Sequence, residues 1–236
     1  MTHIILTGAV HSSIVNLSSD SITDSHERLV DYLCAIRAWI EQPEISTVVY
    51  IDASGFHLPN VFQSSKYHPF HLDLSEQTKA RGKGYSESLS IHHILRHLPS
   101  IQTFYKCTGR LYLKNFSEIH KHQPLESRCP TINYYYKPHW PKASDTRFYY
   151  MNTPFYLDNI HPHIDEIAEN SGKCCVEHIF YKYIQQYNPL PSTHFIGRSG
   201  HHGHTYNEDF TAEQKKHANA LINKCQLLLD KTGFDT

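Results

Sequence analysis

The chain has 236 residues, of which 39% are hydrophobic and 19% are charged, and its net charge is -1. This length is ample for a sizeable buried core, and the balanced charge argues against an extended basic groove for a polyanion such as nucleic acid. The 20 His and 16 Tyr residues are numerous. Such side chains can recognise sugars or phosphates, and a general compositional bias explains them equally well.

The six cysteines and the N-terminal residues indicate a reduced compartment. No CxxC pair occurs, which argues against a zinc ribbon or a thioredoxin-like site. The N-terminus lacks the basic start and long apolar core of a signal peptide, and no apolar run reaches the roughly 18 residues that span a bilayer. We therefore expect a cytoplasmic protein, with at most peripheral contact at the inner face of a membrane.

The N-terminal part of the chain has the pattern of a strand–helix–strand unit. His3–Val10 is a short apolar run that predicts a buried strand, and Thr47–Gly55 is a second one that ends in small and polar residues. Between them, Ser25–Gln42 carries apolar residues at helical spacing, with Asp24 or Ser25 as its N-cap. This order predicts an α/β fold with a mixed central sheet flanked by helices.

The later elements continue the alternation. A polar loop that contains Pro59 and Pro69 leads to a helix over Ser86–Leu98, and Glu118–Ser144 is predicted to be mostly loop. The remaining predicted elements are strands over Phe104–Leu113 and Asp145–Met151 and helices over Val176–Tyr187 and Thr211–Lys231. Because no internal repeat or clear linker interrupts the chain, we expect a single domain over residues 1–236.

Polar and small residues end the first two predicted strands. Thr7 and Gly8 end the first, and Asp52 and Ser54 end the second. Ligand sites in α/β folds collect at the carboxyl ends of strands, so these residues are candidates for nucleotide binding. Asp52 fits two interpretations: its carboxylate could accept hydrogen bonds from a base or ribose hydroxyl, or it could cap a turn.

A basic segment with two glycines precedes the Ser86 helix. It contains Lys79, Arg81 and Lys83. Glycine lets a backbone approach a phosphate closely, and a helix N-terminus favours negative charge, so the segment is a candidate donor-binding loop. Its spacing does not match a P-loop, and a solvated turn is the alternative.

The run Phe104–Leu113 places Lys106 and Arg110 on either side of Gly109, within aromatic and strand-favouring residues. Burying two positive charges without a partner is costly, so charges of this kind typically line a pocket for an anion. Together with Thr108, these residues predict a segment that holds the diphosphate of a nucleotide.

Two later segments carry further candidates. Asp145 and Arg147 alternate along a predicted strand, so both point to one side, where they could contact a sugar and its phosphate or pair with each other. Glu177 begins a predicted amphipathic helix. It could act as a general base at the edge of a site, or it could complement the helix dipole.

A Gly- and His-rich loop near the C-terminus suits closure over a diphosphate. Its candidate residues are Arg198, Ser199, Gly200 and His202. A metal site that used histidines of this loop, such as His204, would need further ligands and a defined scaffold. No HEXXH motif occurs in the sequence.

The order of these parts resembles the GT-A glycosyltransferases. In detail, Lys83–Glu87 followed by Tyr105–Arg110 looks like the "KGxGE…KxTGR" pattern of small bacterial and viral transferases. Those enzymes build lipopolysaccharide, capsule or other surface polysaccharides. The likeness follows most of the chain in order, but only these two short motifs in detail.

The resemblance implies a GT-A-like (Rossmann-like) nucleotide-diphospho-sugar transferase, with residues 1–115 as the nucleotide-binding half and residues 116–236 as the acceptor half. Thr7, Gly8 and Asp52 fall where the family holds the base and ribose, and Glu177 falls where inverting members place the catalytic base. The implied substrates are a nucleotide-sugar donor and a glycan or lipid-linked glycan acceptor.

Members of that family normally carry Asp-x-Asp where this chain has Lys106–Arg110, and those acids hold a divalent metal. The departure implies that Lys106 and Arg110, together with Lys83, neutralise the leaving diphosphate in place of the metal. Asp145 or His204 could still bind Mn²⁺ or Mg²⁺, so the sequence leaves the cofactor open.

Three other functions compete with sugar transfer. A sugar nucleotidyltransferase also has an α/β nucleotide site, but it usually carries a longer Gly-rich signature after the first strand, where Leu6–His11 has one glycine. The second is a non-catalytic carbohydrate- or nucleotide-binding protein derived from a transferase. The third is a hydrolase with a His-bound metal.

Overall fold

The computed structural model describes residues 1–11, 24–124, 129–135, 143–198 and 205–232. For Tyr135 and for residues 225–232 it describes the backbone alone. The strands are β1 (His3–Gly8), β2 (Thr47–Asp52), β3 (Tyr67–His71), β4 (Thr103–Thr108), β5 (Leu111–Leu113), β6 (Tyr134–Tyr135), β7 (Ala143–Ser144), β8 (Phe148–Asn152) and β9 (Phe195–Gly197). The helices are α1 (Ser25–Glu41), α2 (Ser75–Arg81), α3 (Lys83–His97), α4 (Phe116–Lys121), α5 (Thr153–Phe155), α6 (Val176–Tyr183) and α7 (Ala212–Thr232).

The central sheet has five strands in the order β3-β2-β1-β4-β8. The first four are parallel, and β8 runs antiparallel to β4. Gly8 pairs with Asp52, and Thr7 pairs with Thr108, so the carboxyl ends of β1, β2 and β4 lie at one edge of the sheet. We call this the carboxyl edge. The predicted α/β fold with a mixed sheet flanked by helices is confirmed.

Helices α1 and α3 cover opposite faces of the sheet. Along β1, Ile4 and Leu6 belong to the core cluster that contains the buried residues of α1, whereas Ile5 belongs to the cluster that contains those of α3. This alternation follows from the period of two along a strand. Trp39 of α1 is fully buried, and its indole N–H donates to the carbonyl of Leu111 at 2.9 Å.

The structure corrects the predicted loop before the Ser86 helix. This segment contains a strand, β3, and a helix, α2. The sequence does not predict this strand because Pro69 and the exposed His68 and His71 interrupt the apolar pattern. Proline is tolerated there because β3 is an edge strand, and β2 is its only partner among the described strands. The following helix begins at Lys83 rather than at Ser86.

Two predicted strands are shorter than expected. The run Phe104–Leu113 divides at Gly109, and β5 leaves the central sheet to pair with β9. Strand β8 begins at Phe148, so Asp145 and Arg147 precede the strand and the predicted alternation along it is wrong. The stretch predicted as mostly loop contains the second half of α4 and the two short strands β6 and β7. None of the helices in the described part of the chain combines the length and apolarity that a bilayer crossing needs.

Candidate functional site

A connected set of polar side chains lies at the carboxyl edge on the α3 face. We call it the carboxylate cluster, and its members are Thr7, Glu87, Lys106, Thr146 and Glu177. The ammonium group of Lys106 donates to one carboxylate oxygen of Glu87 at 2.7 Å, and the hydroxyl of Thr7 donates to the other at 2.9 Å. Strands β1 and β4 and helix α3 therefore meet at the Glu87 carboxylate.

Thr146 connects this group to helix α6. Its carbonyl accepts a hydrogen bond from the Lys106 ammonium at 2.7 Å, and its hydroxyl donates to Oε1 of Glu177 at 3.2 Å. Hydrogen bonds thus run without interruption from Thr7 through Glu87, Lys106 and Thr146 to Glu177. The predicted site residues Thr7, Lys106 and Glu177 are brought together by two residues that the sequence reasoning did not select.

Exposure separates the acids of this cluster from its cation. Lys106 is 1% exposed, with its ammonium 5.9 Å from the ring centroid of Tyr149. The side chain of Glu87 is 22% exposed, and Glu177 is partly exposed. A carboxylate oxygen has lone pairs for more than one hydrogen bond, so both acids can accept protons or hydrogen bonds from a bound molecule while Lys106 binds Glu87 and Thr146 binds Glu177.

A second set of charged residues lies on the α1 face. We call it the arginine cluster: Arg110 and Arg198 with Asp31 and Glu27. Arg198 binds the Asp31 carboxylate through two hydrogen bonds of 3.0 Å, and Arg110 lies 3.9 Å from the same carboxylate. Asp31 is fully buried and Arg110 is 1% exposed. Burial raises the pKa of Asp31 and lowers that of Arg110, because a low-dielectric interior disfavours both charged forms.

Lys106 and Arg110 do not carry the two unpaired charges that the sequence predicts. Lys106 pairs with Glu87 of α3, and Arg110 pairs with Asp31 of α1, on opposite faces of the sheet. That part of the prediction is wrong, because each cation is compensated by an acid that is distant in sequence. A joint role of the two cations in holding one diphosphate stays a prediction, and it requires both pairs to open.

Asp52 is fully buried, and its carboxylate is occupied by neighbouring groups. It accepts hydrogen bonds of 2.6–3.1 Å from the backbone amides of Val10, Ser54 and Phe56 and from the hydroxyls of Tyr50 and Ser54. This geometry matches the turn-cap interpretation, since the carboxylate joins the chain after β1 to the chain after β2. The hydroxyl of Ser54 also accepts from the His11 amide at 3.0 Å.

Gly8 and Gly109 lie against the ring of Tyr32. A Cβ on Gly8 would be 2.7 Å from Cε1 of Tyr32, and a Cβ on Gly109 would be 3.0 Å from the same atom and 2.8 Å from the carbonyl oxygen of Thr7. The hydroxyl of Tyr32 in turn accepts from the Ala9 amide at 2.9 Å. The two strand-end glycines therefore make room for a tyrosine of α1.

The glycines of the basic segment make room for Glu169. A Cβ on Gly82 would be 2.5 Å from Cβ of Glu169, and a Cβ on Gly84 would overlap its carboxylate. Lys79 is half-exposed and pairs with Glu76 at 2.7 Å, whereas Lys83 is exposed at the start of α3. Where the resembled pattern has its second glycine, this chain has a serine.

Asp145 and Arg147 pair with each other. The guanidinium of Arg147 donates to both carboxylate oxygens of Asp145, at 2.8 and 2.6 Å, and it lies 4.7 Å from the ring centroid of Tyr206. A carboxylate held by an arginine in this way is a poor ligand for Mn²⁺ or Mg²⁺. Within the described ranges, no group of three or more His, Cys, Asp or Glu residues is placed to hold a metal ion.

The predicted phosphate loop is only partly described. Arg198 belongs to the arginine cluster, and Ser199, Gly200, His202 and His204 lie outside the described residues. Among the residues that the sequence reasoning missed, Glu87 had a signal: it lies one helical turn after Lys83 within the motif that carried the resemblance. Thr146 had none, because its position depends on the reversed direction of β8.

No protein-family model and no curated protein sequence matches the chain. Among solved structures, the inositol-1-phosphate CTP transferase from T. maritima is similar over 94% of this chain and 96% of that chain, with 8% identity and a TM-score of 0.51. A glycosyltransferase involved in the glycosylation of the major capsid of PBCV-1 matches over 93% and 100%, with 11% identity and a TM-score of 0.47. The 4-diphosphocytidyl-2C-methyl-D-erythritol synthase from Anaerococcus prevotii matches over 94% and 96%, with 9% identity and a TM-score of 0.44. The likeness to the CTP transferase, at 8% identity, shows a shared fold alone.

Proposed function

We propose that this protein is a glycosyltransferase that moves a sugar from a nucleotide-sugar donor to a hydroxyl group of a glycan. The observation that carries the proposal is the carboxylate cluster, which presents two partly exposed acids at the carboxyl edge of the central sheet. Ligands of open α/β folds bind at this edge. Within such a site, an ordered carboxylate can act as general base on an acceptor hydroxyl.

Glu177 is the proposed general base. Its carboxylate takes the proton of the acceptor hydroxyl as the oxygen attacks the anomeric carbon of the donor sugar. The bond from that carbon to the diphosphate breaks, and the nucleoside diphosphate leaves with the bonding electrons. Thr146 orients Glu177 by its hydrogen bond to Oε1. Attack opposite to the leaving group inverts the configuration at the anomeric carbon.

Glu87 is the proposed acceptor of hydrogen bonds from donor hydroxyl groups. The sequence assigned such a role to Asp52, but the Asp52 carboxylate is fully buried and bonded to the chain around it. Glu87 is partly exposed and held by Lys106 and Thr7. Lys83, exposed at the start of the same helix, is the proposed contact for the leaving diphosphate.

The acceptor is proposed from the sequence resemblance alone. It is a glycan or lipid-linked glycan of lipopolysaccharide, capsule or another surface polysaccharide, which would place the reaction in the cytoplasm or at the inner face of a membrane. Among the described residues no group of three or more His, Cys, Asp or Glu is placed to hold a metal ion, and every proposed role is therefore assigned to a side chain of this chain.

A sugar nucleotidyltransferase is the second candidate. The fold shared with the T. maritima inositol-1-phosphate CTP transferase favours it. The sequence after β1 disfavours it, since Leu6–His11 contains a single glycine. That glycine is further explained by the ring of Tyr32, which leaves no room for a side chain at Gly8.

Ligand-dependent thermal stability separates the two candidates. Melting temperatures are measured with UDP-, GDP-, CMP- and dTDP-sugars and with CTP, UTP and dTTP, each with and without Mn²⁺. We expect stabilisation by one nucleotide sugar, because a ligand that binds the folded state raises its stability. Stabilisation by a nucleoside triphosphate, together with pyrophosphate release on addition of a sugar phosphate, would show the nucleotidyltransferase instead.

Glu177→Gln tests the mechanism once the donor is known. The amide keeps the size of the side chain but cannot take a proton, so we expect the transfer rate to fall by about 10²–10⁴-fold. The donor dissociation constant, measured by calorimetry, should stay within about twofold, since the base acts on the acceptor. Equal loss of donor affinity and transfer would contradict the assignment of Glu177 as the base.

A further inference from the structure

Glu169 lies between the N-terminal ends of the two helices that carry the exposed acids of the carboxylate cluster. Its Oε2 accepts a hydrogen bond from the amide of Gly84 in α3 at 3.1 Å, and its Oε1 accepts one from the amide of Val176 in α6 at 3.5 Å. Each carboxylate oxygen thus serves one helix. The side chain comes from the short 3-10 turn Glu169–Ser171, so a third segment joins the two helix starts.

The packing around these amides leaves no room for a side chain at Gly82 or Gly84. A Cβ on Gly84 would overlap the Glu169 carboxylate and would be 2.8 Å from Cγ1 of Val176. Gly82, which has a φ of 107°, would place a Cβ 2.5 Å from Cβ of Glu169. The close approach of α3, α6 and Glu169 therefore explains both glycines of the basic segment, which the sequence assigned to phosphate binding.

The Glu169 carboxylate lies where two helix N-termini favour a negative charge. Two helix N-termini, each with partial positive charge, approach one another here, and a negative charge between them is stabilising. Burial raises the pKa of Glu169, and Glu177 of α6 raises it further, while the two amides and Lys83 of α3 lower it. Because burial disfavours the charged form, the location of this acid is better explained by what it holds in place than by its own contribution to stability.

The two helix starts set the positions of the candidate catalytic groups. Glu87 lies one turn after Gly84 in α3, and Glu177 directly follows Val176 in α6. Glu87 and Glu177 are connected through Lys106 and Thr146. An increase in the distance between the two helix starts would move these two acids apart.

We propose that Glu169 is a positioning residue, which fixes the spacing of Glu87 and Glu177 by accepting hydrogen bonds from one amide in the first turn of each helix. This inference rests on the proposed sugar transfer for its catalytic consequence. The positioning itself is independent of the reaction and can be measured without a substrate.

Glu169→Gln tests the proposal. The amide has one accepting oxygen, and its NH₂ group would face the amide of the second helix, so only one helix start can stay bonded. We expect backbone hydrogen exchange at the starts of α3 and α6 to become faster in at least one helix. We expect kcat to fall by about tenfold or more while the donor KM changes by about twofold at most, since small misplacements at a reacting centre are costly.

Glu166→Gln is the matched control. Glu166 precedes Glu169 in the same segment, but it binds Lys182 at 2.8 Å and contacts the Tyr183 hydroxyl at the far end of α6. We expect normal exchange at both helix starts and normal kcat in this variant. Glu169→Asp, which keeps the charge but shortens the side chain, should recover part of the kcat lost in Glu169→Gln.

The pH dependence of stability gives a further readout. The pKa of Glu169 is higher in the folded than in the unfolded state, so its contribution to the free energy of unfolding falls as the pH rises above about 4.5. The free energy of unfolding of Glu169→Gln should not show this decrease with rising pH, whereas that of Glu166→Gln should show it. Unchanged exchange at both helix starts in Glu169→Gln would overturn the proposal. If the wild-type protein transfers no sugar, the proposed function fails, and the exchange measurement still decides whether Glu169 positions the two helix starts.

Discussion

The carboxylate cluster and the arginine cluster lie on opposite faces of one sheet, near the same edge, and each contains one of the two cations beside Gly109. In the arginine cluster the central acid, Asp31, is fully buried. In the carboxylate cluster the cation is buried and the acids are partly exposed. The comparison shows that a buried cation indicates a partner acid. When that acid is partly exposed the pair belongs to a candidate site, and when the acid is fully buried the pair has a structural role.

The two clusters should therefore respond differently when one partner is removed. Loss of Asp31 from the arginine cluster should chiefly affect folding, because the Arg110 charge that remains beside it is enclosed. Loss of the cation from the carboxylate cluster should affect activity more than folding, because water reaches the acid that remains.

Asp31→Asn is expected to have the largest effect on stability. The amide cannot compensate Arg198 and Arg110, and breaking a buried ion pair by removing one partner costs about 3–5 kcal/mol. Urea unfolding would measure this loss. A decrease below about 1 kcal/mol would show that water reaches the arginine cluster and that it resembles its counterpart on the other face.

Lys106→Met is expected to have a smaller effect on stability and a large one on transfer. Methionine fills similar space in the core, and the carboxylate of Glu87 keeps some contact with water, so we expect a loss of about 1–3 kcal/mol. Because Lys106 also holds Thr146, transfer should fall by about tenfold or more. Unchanged transfer in a folded variant would remove Lys106 from the candidate site.

Lys79→Ala is expected to have the smallest effect. Lys79 pairs with Glu76 on the surface of α2, so neither the urea midpoint nor the donor affinity should change measurably. Lys83→Ala is the matched comparison, since Lys83 is exposed at the start of α3 and should weaken donor binding by about tenfold. Equal weakening by both substitutions would support the basic segment as a whole, as the sequence alone suggests.

The sequence predicted the fold better than the site. Strand β1, helix α1 and strand β2 follow regular apolar periods, and these patterns are enough to predict a βαβ unit. Strand β3 was missed because an edge strand tolerates Pro69 and exposed histidines. At the site, the sequence identifies a residue when it contrasts with its neighbours, as the charged Lys106 does within an aromatic, strand-favouring run.

Partners across the fold could not be predicted in the same way. Glu87 compensates Lys106, and Glu169 explains Gly82 and Gly84, yet both acids are distant in sequence from the residues they contact. A glycine or a buried charge reports that something lies close to it, but the sequence does not say whether that is a ligand or another part of the chain.

The reversed direction of β8 has a consequence for how the chain can assemble this edge. Residues that follow one of the parallel strands lie at the carboxyl edge. Because β8 is antiparallel, the residues that lie at this edge are those that precede it. Thr146, just ahead of β8, meets Lys106 for this reason. Had β8 been parallel, Thr146 would start about 16 Å away, at the opposite edge of the sheet, because a five-residue strand rises about 3.3 Å per residue. The link between the acids of α3 and α6 is thus a product of strand polarity, and it depends on which way the chain enters its last central strand.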